Sequence, residues 1–344
     1  MPNPSIKDVA KKAGVAIGTV SRAFNDYDDI RPETREHILA VANELGYIPN
    51  RSARNLSSKT NRDVAVFFFD HEADHEFQST LSESNPHMVE GAMRYANMLD
   101  MELAVYYIPQ NKQASRTYEQ YCREHSLSGA VLFGLSLEDP WVSILRQTRI
   151  PCVTVDLEID NPMVGSVVTD DEAAFEQVCD YMIGLGHRRI ALLYGRIHSM
   201  VAQKRWEGAK RSFQKNGISV NPDWIIYTDF LRQTAYEQTR QFIQNHGNEV
   251  TAFISMSDLT AFAAIQAIRD EGFRVPEDYS VSGFDGFSVG VYSTPSITSV
   301  EQDFVSKGYQ AAKLLHDMVS GTAEETRIVV PHKFRPREST REND

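Results

Sequence analysis

The chain has 344 residues, 42% of them hydrophobic and 24% charged, a composition typical of a globular protein with two or three packed units. It has no run of eighteen apolar residues and no signal-peptide core, so we expect neither a membrane span nor export, and the cytoplasm is the expected location. The three cysteines, Cys122, Cys152 and Cys179, lack the spacing of metal ligands, which favours buried free thiols over disulfides or a zinc site. We therefore expect no metal and no cofactor.

The charge is distributed unevenly along the chain. The formal net charge is -12, yet residues 1–62 contain ten Lys and Arg against seven Asp and Glu, a net of +3, which leaves -15 for the other 282 residues. Contacts to nucleic-acid phosphates need Lys and Arg. Any DNA binding is therefore expected in the first 62 residues, with a weak affinity for DNA of arbitrary sequence.

The first 46 residues have the pattern of a small helical unit. Gly14 can adopt a positive φ without steric cost, so it allows a sharp turn between two short helices. Pro32 suits the first turn of a third helix, which Gly46 ends. The apolar residues at helical spacing are Ile6, Val9, Ala10, Ala13, Val20, Ala23, Phe24, Ile38, Val41, Ala42 and Leu45. This pattern favours a helix-turn-helix that reads DNA, although the spacing alone also fits any small helical hairpin.

Three motifs in this unit carry a family resemblance: Asp8-Val9-Ala10, Ala13-Gly14-Val15, and Thr19-Val20-Ser21-Arg22 followed by Asn25. They resemble the headpiece of the LacI/GalR (lactose repressor) family of bacterial transcription regulators. The resemblance implies an N-terminal all-α helix-turn-helix headpiece, a hinge helix and a two-lobed effector domain. Where the family usually caps the third helix with Ser or Thr, this chain has Arg31.

The resemblance also implies which residues contact DNA. Arg22 would donate two hydrogen bonds to a guanine edge or anchor a phosphate. Ile17 can touch a thymine methyl group, whereas Gly18 offers no side chain, so we expect little direct readout of bases and more readout of DNA shape. The predicted DNA-binding residues are Ile17, Thr19, Ser21, Arg22, Asn25, Tyr47, Asn50, Ala53 and Leu56.

Residues 47–61 read as a polar tether by composition. By the resemblance, this segment forms a short hinge helix on DNA, paired with its dimer mate in the minor groove. Leu56 would then wedge between base pairs and Ala53 would pack close to the groove floor. An apolar wedge kinks the duplex and widens the groove enough to admit a pair of helices.

From residue 62 the pattern changes to short apolar runs that alternate with helical stretches such as Met88 to Leu99. Continuous apolar strands separated by helices predict parallel sheets covered on both faces. Two series of strands are predicted, at residues 64–69, 103–108, 129–133 and 152–155, and at residues 189–194, 224–227, 252–255 and 279–282. The fold class is therefore a C-terminal α/β domain of two lobes with a cleft between them, similar to the periplasmic binding proteins.

The family resemblance continues through residues 184–195, 275–285 and 295–300. It implies that the chain crosses between the lobes near Thr169, near Gln302 and near Arg327. The expected organisation is a DNA-binding domain at 1–46, a hinge at 47–61, a first lobe at 62–168 and 303–326, and a second lobe at 169–302 and 327–344.

By the same resemblance a small set of residues lines the cleft. A guanidinium and two carboxylates can hold vicinal hydroxyl groups, and an aromatic face can stack on a pyranose, so this set indicates a sugar as the effector. Phe230 fits a core position equally well, and Ser257 replaces the amide that the family commonly has there. The predicted effector-binding residues are Asp70, Asp156, Arg205, Phe230, Ser257 and Asp285.

Two motifs typical of enzymes also occur. His71-Glu72-Ala73-Asp74-His75 has the H-E-x-x-H spacing of zinc proteases, but it follows a predicted strand in an acidic stretch without a helical apolar stripe. Residues 286–290 fit G-x-S-x-G around Ser288, but Pro295 interrupts the long helix that a nucleophile elbow needs. We therefore expect no enzyme, with a hydrolase that uses Ser288 or His71 and His75 as one rival and a carbohydrate receptor without DNA function as another.

The expected partners follow from the family. They are a palindromic operator, a small-molecule effector that is expected to be a sugar, and a second copy of the chain, with no membrane. No leucine heptad follows Arg335, so a dimer is expected rather than a tetramer. The sequence leaves open whether the effector acts as an inducer or as a corepressor.

Overall fold

The structure is a computed structural model that describes residues 4–24, 27, 29–47, 64–70 and 84–343, with the backbone alone for residues 64, 70, 110, 111 and 248. The chain divides into two compact units, Met1–Arg62 and Asp63–Asp344. Asn25, Asn50, Ala53, Leu56, His71 and His75, for which the sequence made predictions, lie outside the described residues, as does the side chain of Asp70.

The first unit contains the three predicted helices, α1 (Ile6–Ala13), α2 (Ile17–Phe24) and α3 (Pro32–Leu45). Gly14 ends α1 with a φ of 68°, which an L side chain rarely adopts. Arg31 precedes α3 without making a side-chain cap. The apolar faces of the helices meet in one small core of Val9, Ala10, Ala13, Val20, Ala23, Ile38, Val41 and Ala42, as their spacing predicts.

The first lobe of the second unit is built on six parallel strands in the order β11, β5, β4, β3, β1 and β2. They are β1 (Val64–Asp70), β2 (Leu103–Pro109), β3 (Gly129–Phe133), β4 (Cys152–Val155), β5 (Val164–Val168) and β11 (Arg327–Val329). The helices are α4 (Ser84–Met98), α5 (Gln110–Ser115), α6 (Tyr118–Glu124), α7 (Pro140–Leu145) and α13 (Phe304–Ser320). Residues of α4 and α13 cover one face of the sheet, and residues of α6 and α7 cover the other, so the central strands are apolar on both faces.

The second lobe is built on four parallel strands in the order β7, β6, β8 and β9. They are β6 (Ile190–Tyr194), β7 (Ile225–Tyr227), β8 (Ala252–Ser255) and β9 (Ser280–Ser282). The helices are α8 (Asp171–Gly184), α9 (Met200–Lys215), α10 (Arg232–His246), α11 (Asp258–Asp270) and the short α12 (Ser288–Tyr292). Beside this sheet, β10 (Ser299–Glu301) and β12 (Lys333–Arg335) pair antiparallel, which is the exception to the predicted parallel pairing.

Three crossings between the lobes were expected within residues 169–327, which the structure describes. β5 ends at Val168 and β10 ends at Glu301, directly before the crossings expected near Thr169 and Gln302. The third was expected near Arg327, with residues 327–344 in the second lobe. β11 pairs with β5, and the amide of Val330 donates to the carbonyl of Val168 at 2.8 Å. The strand therefore belongs to the first lobe, and the crossing lies between Val330 and Lys333.

Two glycines bring α4 and α13 into close contact in the first lobe. A Cβ atom added to Gly91 would lie 1.9 Å from the carbonyl oxygen of Val305, and one added to Gly308 would lie 1.8 Å from that of Met88. Only glycine allows two helix backbones to approach so closely. This contact fixes the N-terminal half of α13, which borders the cleft.

Candidate functional site

The predicted recognition surface lies on α2 of the first unit. Ile17 and Arg22 are exposed there, whereas Thr19 and Ser21 are half-buried. Tyr47 follows α3 and packs its ring edge-on against Phe24, with 5.8 Å between ring centroids, so it also supports the helix core. The exposed face of α2 thus presents one cationic and one apolar side chain of the kinds that contact base edges.

Arg22 has an acidic neighbour that the sequence reasoning missed. Its Nη1 donates to Oδ2 of Asp29 at 3.0 Å, and both side chains are more than half exposed. An ion pair this exposed contributes little to stability. It does give the predicted recognition arginine an intramolecular partner.

The second unit has a cavity of about 280 Å³ between the carboxyl ends of the two sheets. Ligands of open α/β sheets bind at this edge, because the loops that follow the strands converge there. Four of the predicted wall residues follow strands: Asp156 follows β4, Phe230 follows β7, Ser257 follows β8 and Asp285 follows β9. These four residues and Arg205 all line the cavity.

Three of these residues have a backbone that favours glycine. The φ angles are 60° at Asp156, 62° at Phe230 and 111° at Asp285. Non-glycine residues held in this region cost on the order of 1–3 kcal/mol each and concentrate at functional sites. Three of the five predicted residues that line the cavity thus lie in backbone that the surrounding structure must hold in place.

Arg205 is held by the protein on several sides. Its Nε donates to Asp171 at 2.8 Å, its Nη1 donates to the carbonyl of Met256, and its Nη2 lies 3.3 Å from Oδ1 of Asp285. Its guanidinium also stacks on the ring of Phe284, with 3.8 Å to the centroid. Arg205 therefore organises the second-lobe wall, in addition to lining the cavity as predicted.

Burial sets the protonation of the carboxyls around this arginine. It raises the pKa of Asp285 to about 6, although Arg205, Ser257 and Gln302 each favour the ionised form. Burial likewise raises the pKa of Asp171, again against the effect of Arg205. Asp171 was not predicted, because an aspartate in the first turn of a helix is usually explained by the helix dipole.

A neighbouring carboxyl shapes the second-lobe wall. Asp258 accepts hydrogen bonds from the amides of Gly286 and Phe287 at 2.7 and 2.8 Å and from the hydroxyl of Ser299 at 2.7 Å. Its buried side chain thus fixes the loop that follows Asp285. Ser257 directly precedes it, and the Ser257 hydroxyl accepts from the amide of Leu259 at 3.4 Å at the start of α11.

The ring of Phe230 packs on Gly195, which has no side chain to block it. A Cβ atom added to Gly195 would lie 2.1 Å from Cζ of Phe230, so the ring sits directly on the backbone of Gly195. The ring is half-buried and lines the cavity. The sequence left open whether Phe230 has a core position or a cleft position. In the structure its ring packs on the core and also faces the cleft.

Sequence reasoning missed Lys307 altogether. Its side chain is fully buried on α13, and its Nζ donates to Oδ1 of Asp156 at 2.5 Å and to Oε1 of Gln302 at 2.6 Å. A signal was available, because Lys307 shares the apolar face of its helix with Phe304, Gly308 and Ala311.

The lobes also touch away from the three crossings. The amide of Leu137 and the hydroxyl of Ser136, both in the first lobe, donate to the carbonyl of His198 in the second at 3.0 and 3.1 Å. The ring of His198 lies 3.0 Å from Glu138. These contacts bring the two walls of the cavity together at one edge.

The serine of the G-x-S-x-G motif begins a short helix. Ser288 is the first residue of α12, which ends at Tyr292 after five residues. A nucleophile elbow is followed by a longer helix than this. Within residues 84–343 and the described part of the first unit, no three His, Cys, Asp or Glu side chains are grouped as metal ligands. Among the helices that the structure describes, none has the length and apolarity to cross a membrane.

The comparisons with known families cover both units. Residues 5–50 match the family profile described as bacterial regulatory proteins, lacI family. Residues 179–340 match the profile of the periplasmic binding protein-like domain. The first match spans the three helices, and the second begins inside α8 and spans the rest of the second lobe together with α13.

Similar whole proteins are regulators of transcription. The HTH-type transcriptional regulator CelR of Thermobifida fusca is 29% identical, over 98% of this chain and 98% of its own length. A solved CelR–cellobiose complex is 27% identical, with a TM-score of 0.72 and coverage of 98% of this chain and 99% of that one. A lac repressor dimer bound to operator and an anti-inducer is 25% identical, with a TM-score of 0.84 and coverage of 99% and 100%.

Proposed function

Because the chain belongs to the LacI family of DNA-binding transcription regulators, we propose that it represses carbohydrate-utilisation genes and that a small neutral sugar in the cleft switches its operator binding. The observation that carries this proposal is the cavity between the lobes, which five of the six predicted effector residues line. A regulator of this kind acts where the bacterial DNA is, so we place it in the cytoplasm.

The chemistry of the cavity favours a sugar without charge. The described residues that line it include two aspartates, Asp156 and Asp285, and two arginines, Arg196 and Arg205, so the formal charges of the lining balance. Serine hydroxyls and amide side chains accompany these charged groups in the lining, and four phenylalanine rings add apolar faces. The lining residues of these types are Ser84, Asn85, Ser136, Ser199, Ser257, Gln302, Phe69, Phe230, Phe287 and Phe304. The hydroxyl groups of a pyranose can form hydrogen bonds with these polar side chains, and its C–H faces can stack on the phenylalanine rings.

The switch is proposed to act through the lobes. A ligand that contacts both walls favours the lobe arrangement that it fits best, in proportion to its difference in affinity for the two arrangements. In the proposed mechanism, one lobe arrangement lets the segments at residues 49–58 of the two subunits pair as helices on DNA. The other arrangement keeps the two segments apart, and the unpaired segments then lose their helical structure. Whether the sugar induces or corepresses depends on which arrangement it prefers.

A homodimer on a palindromic operator is part of the proposal. Val105 and Tyr107 lie on the edge strand β2 and are 51% and 56% exposed. Met93 and Met98 are exposed on α4, the helix that precedes β2 in the chain. Large apolar side chains exposed together mark interaction surfaces. A second copy of the chain is the partner that would place two headpieces on two half-sites.

The proposal can be tested with the full-length protein and a DNA duplex selected by it from random sequence. Thermal unfolding is followed with cellobiose and other neutral mono- and disaccharides, and with glucose 6-phosphate as the anionic control. A bound sugar raises the midpoint by an amount set by its concentration relative to its dissociation constant. We expect stabilisation by a neutral sugar and none by the phosphate. Stabilisation by the phosphate alone, or no selected duplex, would contradict the proposal.

A further inference from the structure

The buried ammonium group of Lys307 has a position that stability does not explain. The side chain is 0% exposed, whereas its partner Asp156 is 23% exposed and borders the cavity. Removing an ammonium ion and a carboxylate from water is costly, and well-packed apolar residues are often as stable as a buried ion pair or more stable. The apolar face of α13 could accept such a residue, because Phe304, Gly308 and Ala311 share it. A contribution to stability therefore does not explain why a lysine occupies this buried position.

The side chain of Gln302 links Lys307 to the second lobe. Gln302 uses both ends of its amide: Oε1 accepts from Lys307 at 2.6 Å and from Thr169 at 2.9 Å, and Nε2 donates to Asp285 at 2.8 Å. Thr169 and Gln302 are the first two crossing points between the lobes. The hydrogen bonds thus run without a gap from Asp156 in the first-lobe wall to Asp285 in the second-lobe wall.

The geometry of this chain makes it sensitive to what occupies the cavity. Asp156 and Asp285 both line the cavity, and Asp156 is held at a φ of 60°. A ligand hydroxyl that donates to either carboxylate competes with the bond that the protein already makes to it. Such competition changes the position of Lys307 or Gln302, both of which bear on the segments that join the lobes.

We propose that Lys307 is a positioning residue that couples the two walls of the cleft, because its ammonium ties Asp156 to the crossing segments and, through Gln302, to Asp285. The proposal rests on the proposed function only for the identity of the ligand. The coupling itself belongs to the ligand-free protein and can be measured there.

The test measures the separation of the lobes in the full-length protein without ligand. Spin labels are attached through Arg123→Cys on α6 and Lys210→Cys on α9, both of which are exposed ion-pairing positions, while the native cysteines are buried. The labelled chain is diluted with unlabelled chain, so that the two labels of a pair lie in one subunit. Lys307→Met removes the ammonium and keeps the apolar stem.

The expected result is a single narrow distance distribution for the protein without further changes, and a distribution at least twice as broad for Lys307→Met. Gln302→Met leaves the pair of Lys307 and Asp156 intact but cuts its link to Asp285, so it should broaden the distribution as well, and it decides the matter if Lys307→Met does not fold. Lys307→Arg should keep the narrow distribution, because a guanidinium can donate to both oxygens.

Lys313→Met is the matched control, since Lys313 is exposed on the same helix and pairs with Asp317 at 2.7 Å. It should leave the distribution unchanged. A narrow distribution in either Lys307→Met or Gln302→Met, with or without a lower melting temperature, would overturn the coupling and leave Lys307 with a structural role alone.

A second measurement separates this inference from the proposed function. With cellobiose as the probe, Lys307→Met should reduce the change that the sugar causes in operator affinity more than it reduces the affinity for the sugar. If the unmodified protein responds to no sugar, the proposed function fails while the distance result still stands. If it responds and Lys307→Met responds equally, the inference fails while the proposed function stands.

Discussion

The headpiece and the effector domain differ in how deeply they bury the ion pair of the arginine at their predicted binding site. In the headpiece, Arg22 and Asp29 form a pair in which both side chains are more than half exposed. In the effector domain, the pair of Arg205 and Asp171 is about 95% buried, with side chains 4% and 5% exposed. The headpiece has its predicted recognition arginine at the surface, whereas the effector domain buries the arginine that holds its second-lobe wall.

The difference indicates how each unit achieves specificity. An exposed guanidinium can exchange one partner for another at little cost, which suits a surface that binds and releases DNA. A buried network cannot lose a partner without leaving a charge unpaired, so it responds to a ligand as a unit. Substitutions in the two units should therefore differ in size and in the property that they change.

The largest effect is expected from Arg205→Met in the effector domain. It leaves Asp171 and Asp285 buried without their cation, which should lower the free energy of unfolding by about 3–5 kcal/mol. Urea unfolding measures the change. Arg211→Met is the matched control on the same helix, because Arg211 pairs with Glu172 and Glu176 at the surface and should lose less than about 1 kcal/mol. Equal losses in both variants would remove the contrast between buried and exposed pairs.

The pH dependence of stability should be the next largest effect. The pKa of Asp285 is raised from 3.8 to about 6, so the native state binds this proton more tightly than the unfolded chain does. This group therefore favours the native state most below pH 3.8, and its contribution, up to about 3 kcal/mol, is lost as the pH rises to about 6. Asp285→Asn should reduce the slope of the unfolding free energy against pH across this window, measured by urea unfolding. Asp171 and Asp258, whose pKa values burial also raises, keep their own contributions. An unchanged slope in the variant would show that another group titrates there.

In the headpiece, the largest effect is expected from Arg22→Ala. Loss of a bidentate contact to guanine should weaken binding to the selected operator by about 1–3 kcal/mol, with the fold unaffected. Fluorescence anisotropy of a labelled duplex measures it. Lys12→Ala serves as the control, since Lys12 of α1 makes an exposed pair with Glu44 of α3. Unchanged operator affinity in Arg22→Ala would refute the recognition role.

The smallest effect is expected from Asp29→Asn. The substitution frees Arg22 from its partner at 3.0 Å, so affinity for a duplex of arbitrary sequence should rise by no more than about fivefold, the equivalent of about 1 kcal/mol. In the Arg22→Ala background the rise should disappear if Asp29 acts through Arg22. A rise that persists there would mean that Asp29 repels the DNA phosphates directly. Glu44→Gln provides the comparison within the same unit.

The sequence predicted the headpiece helices from their apolar stripes. It predicted the five cavity residues from the family resemblance; four of them follow strands, where ligands of α/β sheets bind, and Arg205 lies within α9. It missed β11 because Arg327–Val329 is a short strand without buried residues, so hydrophobicity does not mark it. It missed Asp171 and Lys307 because the burial of a charge depends on partners far away in sequence, here Arg205 and Asp156.

The most direct test of the account is a titration of the operator complex with the neutral sugar that gives the largest thermal shift, followed by fluorescence anisotropy. The account predicts a change in operator affinity of at least fivefold, half complete at the dissociation constant of the sugar. It also predicts that Asp156→Asn weakens the response. A sugar that binds the protein with full occupancy and leaves operator affinity unchanged would contradict the central claim that the cleft controls the headpiece.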